Sequence, residues 1–197
     1  RRTIEVMANN PVFCRHLHLC VQHGSNSILA AMNRRYTRER FLEIVATLRE
    51  AMPGITLSTD ILVGFPGETD GDFEEILTLM DETRFLYAYM YHYNPREGTA
   101  AFSLPGRVEP EIKTARLERV IELQRLHTEE LLRSRIGGLE DVLVERTSRR
   151  NDGELLCRTE RDETAVAEGP PSLIGTFAKI RLENLSGATL RGRFSGE

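Results

Sequence analysis

From His16 to Gln22, apolar and polar residues alternate strictly: Leu17, Leu19 and Val21 take one face, His16, His18, Cys20 and Gln22 the other. That is the period-2 mark of a strand. Ser25 to Met32 reads as a short helix. After Thr37 the period changes, and Phe41, Ile44, Val45, Leu48 and Met52 recur at i, i+3, i+4, i+7 and i+11. This spacing fills one helix face, with Thr37 as the capping hydroxyl and Pro53-Gly54 as the stop. Ile55 to Val63, rich in β-branched residues, predicts a second strand, and Gly64-Phe65-Pro66-Gly67 a tight loop. Thr69-x-x-Asp72 opens another amphipathic helix that buries Phe73, Ile76, Leu77 and Met80. Phe85 to Tyr93 forms a third strand, ended by Asn94-Pro95. Strands alternating with helices over short connections give a parallel α/β sheet. Three strands cannot close a barrel, so they belong to a larger α/β sheet.

Beyond Pro105-Gly106 a charged helix is predicted from Glu109 to Arg135, with Ile112, Leu117, Ile121 and Leu131 among its buried residues and Gly137-Gly138 as its end. The rhythm then shortens. Val142–Glu145, Leu155–Thr159, Phe177–Leu182 and Thr189–Phe194 read as strands, separated by turns at Arg150-Asn151-Asp152-Gly153, Glu168-Gly169-Pro170-Pro171 and Ser186-Gly187. Short strands at such spacing predict a small antiparallel β-barrel. The expected domains are residues 1–135, the α/β part with its closing helix, and residues 136–197, the barrel.

Composition narrows the function classes. An ordinary balance of 40% hydrophobic and 28% charged residues in 197 suits a globular chain. No apolar run approaches the roughly 20 residues of a membrane span, and no signal-peptide pattern is present, since Arg1-Arg2-Thr3 leads into an alternating stretch. We expect a cytoplasmic protein, away from membranes and monomeric. The missing initiator Met, and a start inside what reads as an element, suggest a segment of a longer protein. Net charge is −4, so any basic surface has to be local. Cys14, Cys20 and Cys157 include no C-x2-C pair, which leaves no zinc or iron–sulfur site to be read from spacing; three reduced thiols are expected.

Candidate chemistry collects at the C-terminal ends of the three strands. In a parallel barrel, helices cover the outside, so Leu17, Leu19 and Val21 point outward and His16, His18, Cys20 and Gln22 line the interior near the mouth. Gln22-His23-Gly24-Ser25 follows, with Gly24 allowing close backbone approach. On the second strand Thr56, Ser58 and Asp60 share a face, and Gly64, Pro66 and Glu68 sit in the rigid loop after it. The third strand ends in Tyr93-Asn94-Pro95-Arg96-Glu97-Gly98-Thr99. Each feature alone has a plain structural reading as buried histidines or demanding turns. Three polar βα loops at one mouth are better explained by a binding site.

His16-Leu17-His18-Leu19-x-Val21-Gln22-x-Gly24-Ser25-Asn26, Met32-Asn33-Arg34-Arg35-Tyr36-Thr37-Arg38-Glu39, Ser58-Thr59-Asp60-Ile61-Leu62-Val63-Gly64-Phe65-Pro66-Gly67-Glu68-Thr69 and Tyr93-Asn94-Pro95-Arg96-Glu97-Gly98-Thr99 together resemble the methylthiotransferase branch of the radical-SAM enzymes. Order and spacing agree along nearly the whole chain. Asn151-Asp152-Gly153-Glu154-Leu155 and Gly187-Ala188-Thr189-Leu190-Arg191-Gly192 resemble the TRAM domain, an RNA-binding β-barrel. The resemblance implies the C-terminal part of a partial (β/α)6 TIM-like barrel followed by TRAM. It implies S-adenosyl-L-methionine (SAM) as cofactor, with His18, Gln22, Gly24, Ser25, Ser58, Asp60, Gly64, Pro66 and Asn94 as candidate contacts. It implies two 4Fe-4S clusters in the full-length protein, one on a Cys-x3-Cys-x2-Cys loop, and an electron donor to reduce them. Neither cluster motif is in this sequence, so the chain alone would be inactive. No catalytic residue can be assigned. Cys20 and His23 stand where the family usually has Pro and Ser.

The implied reaction is transfer of a methylthio group to C2 of an N6-modified adenosine beside the anticodon, with tRNA as partner. Family relatives that modify a ribosomal-protein aspartate, or a threonylcarbamoylated adenosine, are the alternatives within the branch. A bare RNA-binding module on an inert α/β scaffold is the alternative from another class, and His18, Gln22 and Asp60 at one mouth argue against it. From Ile136 onward there are nine Lys/Arg against eleven Asp/Glu, so RNA binding has to rest on clusters. Arg146, Arg149 and Arg150 flank one turn, and Arg191 and Arg193 share a face of the last strand.

Overall fold

The structure, a computed structural model, describes residues 2–149, 151 and 153–195. The chain divides into two compact units, residues 1–9 with 17–127, and residues 10–16 with 128–197.

The first unit contains α1 (Arg2–Ala8), β1 (His16–His18, its first residue in the other unit), α2 (Asn26–Ala31), α3 (Arg38–Ala51), β2 (Thr56–Val63), α4 (Asp70–Thr83), β3 (Tyr87–His92) and most of α5 (Pro110–Arg133). The sheet order is β1-β2-β3, with β2 and β3 parallel and Asp60 opposite Tyr89. Leu57, Ile61 and Val63 alternate onto the buried face of β2 and meet Phe41, Val45 and Leu48 of α3 and Phe73, Ile76 and Met80 of α4. Ser58 and Asp60 are thereby turned to the opposite face.

Both predicted helix starts are built as the sequence reads. Thr37 accepts the Arg40 N–H at 3.3 Å. Thr69 and Asp72 form a reciprocal capping box: the Thr69 hydroxyl accepts the Asp72 N–H at 3.2 Å, and the Asp72 carboxylate accepts the Thr69 N–H at 2.9 Å.

Three details differ from expectation in this unit. The opening residues form α1 rather than an extended stretch, because Ile4 and Met7, three apart, pack on the core while Val6 is half exposed. Strand β1 stops at His18, because the Thr59 side chain replaces the ladder beyond it. Its hydroxyl accepts the Val21 N–H at 3.0 Å and donates to the Leu19 carbonyl at 2.8 Å. On α5, Ile112 and Ile121 are exposed, and the buried stripe is Arg116, Val120, Gln124 and His127. These polar residues can take that face because they have partners there: Gln124 donates to the Phe85 carbonyl at 2.9 Å and His127 meets Asp81 at 2.9 Å.

The second unit is a closed barrel of β4 (Leu139–Thr147), β5 (Glu154–Thr159), β6 (Thr164–Glu168), β7 (Phe177–Ser186) and β8 (Thr189–Phe194), in the order β4-β5-β6-β8-β7. Val142, Val144, Leu155, Cys157, Ile180, Leu182 and Leu190 are buried in it. The expected all-antiparallel pairing fails at one seam, where β6 and β8 run parallel. A ring of five strands cannot reverse direction at every step, so at least one neighbouring pair must be parallel. Strand β6 itself escaped the sequence reading because its turn carries no glycine. Thr159 builds it instead, its hydroxyl accepting the Arg161 and Glu163 N–H groups, with Asp162 left-handed at φ 62°.

Candidate functional site

Four of the predicted mouth residues converge. Ser58 and Asp60 come up from β2 on its polar face, and His18 stands beside them at the end of β1. The His18 ring lies with Nδ1 2.9 Å from Ser58 Oγ and Nε2 3.5 Å from Asp60 Oδ2. Gln22 donates from Nε2 to the same Asp60 oxygen at 3.3 Å. Its backbone is left-handed at φ 68°, an uncommon conformation for a residue with a Cβ. It is held there by pairing with β2 on both sides: Gln22 N–H to the Asp60 carbonyl at 2.9 Å, and Leu62 N–H to the Gln22 carbonyl at 2.8 Å. Tyr89, opposite Asp60, sets its ring edge-on to His18 with centroids 5.8 Å apart, and Tyr87 stacks edge-on behind it. Tyr89 and Tyr91 are about half exposed. The mouth is therefore an open patch of hydroxyl, imidazole, carboxamide and carboxylate beside an aromatic wall, suited to a ligand with both polar groups and a flat ring.

Cys20 joins this group, with Sγ 3.1 Å from His18 Nε2. Burial, then its hydrogen bond to Asp60 and that carboxylate's charge, push its thiol up to about 11, which keeps it protonated and poorly nucleophilic at neutral pH.

The remaining candidates are engaged differently. Gly24 lies against the backbone of α4, where an added Cβ would fall 2.1 Å from the Glu75 carbonyl oxygen. Ser25 is buried at the N-cap position of α2, but its hydroxyl makes no capping bond and donates instead to Asp72 Oδ1 at 2.5 Å, with Ser27 donating to the same oxygen at 2.7 Å. Burial pushes the Asp72 carboxyl up, but the hydrogen bonds from Ser25, Thr69 and Ser27 outweigh it and hold the group well below the usual carboxylate range. Gly64, at φ 72°, and Pro66 line a separate cavity of about 270 Å³ with Tyr93, Pro95 and Lys113. Asn94 is exposed.

Read from sequence, His23 and Glu68 are only loop residues and Arg116 goes unmarked; the structure joins the three in a buried ionic chain beneath the mouth. His23 is fully buried, and its Nδ1 accepts the Ser25 N–H at 3.0 Å, which leaves Nε2 to donate to Glu68 Oε2 at 3.1 Å. The same Glu68 oxygen accepts the Gly64 and Phe65 N–H groups at 2.7 and 3.3 Å. Arg116 of α5 closes the chain, donating to Glu68 Oε1 and to Asp70, each at 2.7 Å. One carboxylate thus fixes the loops after β1 and β2 to α5. Glu68 within the Gly-Phe-Pro-Gly-Glu loop was the available signal, since a buried Glu needs partners.

In the barrel, Arg146, Arg149 and Arg191 line one cavity of about 260 Å³ with Ser148, Glu154, Ser186 and Thr189. Arg191 is paired with Glu154 at 2.7 Å. Arg146 and Arg149 are exposed and form no ion pair among the described residues. Arg193 pairs with Glu183 at 3.3 Å and lies on a neighbouring groove that also holds Glu168. Arg150 lies outside the described residues. Cys14 and Cys20 are exposed and Cys157 is buried, all as free thiols.

No helix among the described residues is long and apolar enough to cross a membrane. Residues 1–80 match the Radical SAM superfamily and residues 133–194 the TRAM domain. The chain is similar to tRNA-2-methylthio-N(6)-dimethylallyladenosine synthases. It is 47% identical over 196 residues to that of Treponema pallidum (strain Nichols), covering 98% of this chain and 43% of the relative. With that of Treponema denticola it shares 47% over 194 residues, 98% and 43% of the two chains. The Aquifex aeolicus (strain VF5) protein is 40% identical over 189 residues, 96% and 42%. The chain thus spans less than half the length of these relatives. It carries a Radical SAM match and a TRAM match in order, and it is similar to these relatives along nearly all of its residues.

Proposed function

We propose that the chain works within a tRNA methylthiotransferase, one that places a methylthio group on C2 of an N6-modified adenosine beside the anticodon. The observation that carries this reading is the convergence of His18, Gln22, Ser58 and Asp60 on one open mouth beside Tyr89. These residues fit SAM. Asp60 offers acceptor oxygens for an ammonium or ribose hydroxyls, Gln22 and Ser58 offer donors and acceptors, and the tyrosines offer a flat apolar wall. Bound SAM would supply the radical that removes hydrogen from the target carbon and, from a second molecule, the methyl group. The residues of this chain bind and orient. His18 and Gln22 fix the Asp60 carboxylate, and the Glu68 chain holds the loops carrying Gly24, Ser25, Gly64 and Pro66, with Asn94 at the end of β3. The three cysteines do not fit an iron–sulfur cluster, since Cys157 is buried in the barrel and Cys14 and Cys20 are six apart rather than in a Cys-x3-Cys-x2-Cys loop. The two 4Fe-4S clusters of this chemistry, and their electron donor, would be supplied from elsewhere. Residues 1–135 serve as the catalytic-domain segment and residues 136–197 as the RNA-binding barrel. Such an enzyme works where tRNA is, in the cytoplasm.

Replacing Asp60 by Ala in the full-length enzyme is expected to weaken SAM binding about tenfold or more, the loss of one charged hydrogen-bond acceptor, with the unfolding midpoint little changed because Asp60 is partly exposed. Equilibrium dialysis with labelled SAM measures it; unaltered affinity removes Asp60 from the site.

For RNA, Arg146 and Arg149 are the cations of the barrel cavity that form no ion pair among the described residues. Replacing both by Ala should lower tRNA affinity and flatten its dependence on log salt by about one unit for each phosphate that is no longer neutralised. SAM binding in the absence of tRNA should be unaffected. Filter binding over a salt series reads both quantities. Normal tRNA binding with a lost ribosomal-protein interaction would favour the protein-modifying alternative.

A further inference from the structure

His18, Cys20 and Asp60 present one nitrogen, one sulfur and one oxygen, all within 4.8 Å of one another. The three are a mixed donor set rather than an acidic cluster, and they come from two adjacent segments whose backbones are hydrogen-bonded together. We propose that this triad is a binding site for a borderline-soft divalent cation of the Zn²⁺ class, with three protein ligands and an open fourth position facing the mouth.

The spacing supports it. Ligands at about 2.0–2.3 Å from one tetrahedral Zn²⁺ stand roughly 3.3–3.6 Å apart. His18 Nε2 lies 3.5 Å from Asp60 Oδ2 and 3.1 Å from Cys20 Sγ, two of the three donor pairs within a few tenths of an ångström of that spacing, and the third pair lies within 4.8 Å. The imidazole is also oriented as a metal-binding ring is. Its other nitrogen, Nδ1, bonds Ser58 Oγ at 2.9 Å, leaving Nε2 to the triad, and Tyr89 limits ring rotation. Gln22 donates to Asp60 Oδ2, the carboxylate oxygen that faces His18, and so orients it. Carboxylate, thiol and imidazole chemistry together select zinc over magnesium or calcium. Binding would release the Cys20 thiol proton to solvent, and the cation's charge would reverse the effect of burial and Asp60 that otherwise keeps that thiol protonated. Two charges from Cys20 and Asp60 then neutralise the metal.

This assignment shares His18 and Asp60 with the SAM reading but not Cys20, and its test involves no turnover. The full-length protein is equilibrated with one equivalent of Zn²⁺ and desalted, and retained zinc is measured together with zinc-edge X-ray absorption, an edge that iron does not share. We expect retained zinc with a sulfur neighbour at about 2.3 Å and lighter atoms at about 2.0 Å. Cys20→Ser should lose the sulfur neighbour and retain at least about tenfold less zinc, and His18→Asn should also lose retention. Cys14→Ser, on an exposed thiol outside the triad, should behave as the unaltered protein. Both ligand positions are exposed, so these variants keep their fold, which thermal unfolding verifies. Equal retention with the same sulfur neighbour in Cys20→Ser, or retention without any sulfur neighbour in the unaltered protein, would overturn the proposal. Loss of SAM binding in Asp60→Ala with no zinc retained in any variant would leave the SAM reading standing and this one refuted.

Discussion

Replacing Glu68 by Ala should destabilise the first unit by about 3–5 kcal/mol, the range for removing one partner of a buried ion pair. Glu68 is fully buried as a side chain, and Arg116 is only 8% exposed. Deleting the carboxylate strips Arg116 of its buried anionic partner and leaves it the Glu68 backbone carbonyl at 3.3 Å and Asp70, which is 96% exposed and screened by solvent. It also orphans the Gly64 and Phe65 N–H groups and the Nε2 proton of His23, three donors without access to water. Glu68→Gln should cost less, since its carbonyl oxygen can still accept from Gly64, although its amide then faces the donor Arg116. Urea unfolding monitored by circular dichroism measures the order Glu68→Ala worse than Glu68→Gln. Equal stability of all three forms would mean that the chain of ion pairs is not what ties the loops to α5.

Gly24→Ala should be the next most damaging change, on the order of 3 kcal/mol. The added Cβ would meet backbone atoms, the Glu75 carbonyl at 2.1 Å and Ile76 N at 2.6 Å, in the buried turn of α4 beside fully buried Ile76. Backbone cannot rotate away as a side-chain end can, so either α4 or the loop carrying Gln22 and His23 must shift. Gly71→Ala supplies the control. Its Cβ would find only the Thr69 hydroxyl at 3.7 Å, within an α-helix where Ala is preferred, and a gain of about 0.5–1 kcal/mol is expected. Thermal melts of the two variants should therefore move in opposite directions.

The contrast between these positions shows what the chain makes legible. Helices α3 and α4 could be read because one physical cause, burial of a periodic apolar face under β2, acts through neighbours three and four apart. Ser58 and Asp60 followed from alternation once the apolar face of β2 was known. By contrast, His23 and Glu68 are 45 positions apart, and Glu68 and Arg116 are 48 apart. No local pattern marks charged residues that meet only after folding. Helix α5 misled for the same reason: Ile112 and Ile121 have the greater hydrophobicity, but Arg116, Gln124 and His127 found partners and took the buried face. Gly24 and Ser25 were legible as special positions, though not in direction, because nothing in the sequence says whether a close approach is made by a ligand or by a neighbouring helix. Desolvation lowers the affinity of His127 for its proton against the opposing pull of Asp81, another pairing invisible along the chain.

The single parallel seam of the barrel sets the order in which it can be completed. Strand β8 pairs with β6 on one side and β7 on the other, so it is the stave on which closure depends. As the chain leaves the ribosome, β4, β5 and β6 can zip up as consecutive hairpins, and β7 can add beside β4. Until Thr189–Phe194 arrives, β6 and β7 both expose raw strand edges, the geometry most prone to pairing with another chain. A product released before Thr189–Phe194 would present two adhesive edges, at β6 and β7, where the closed barrel presents none.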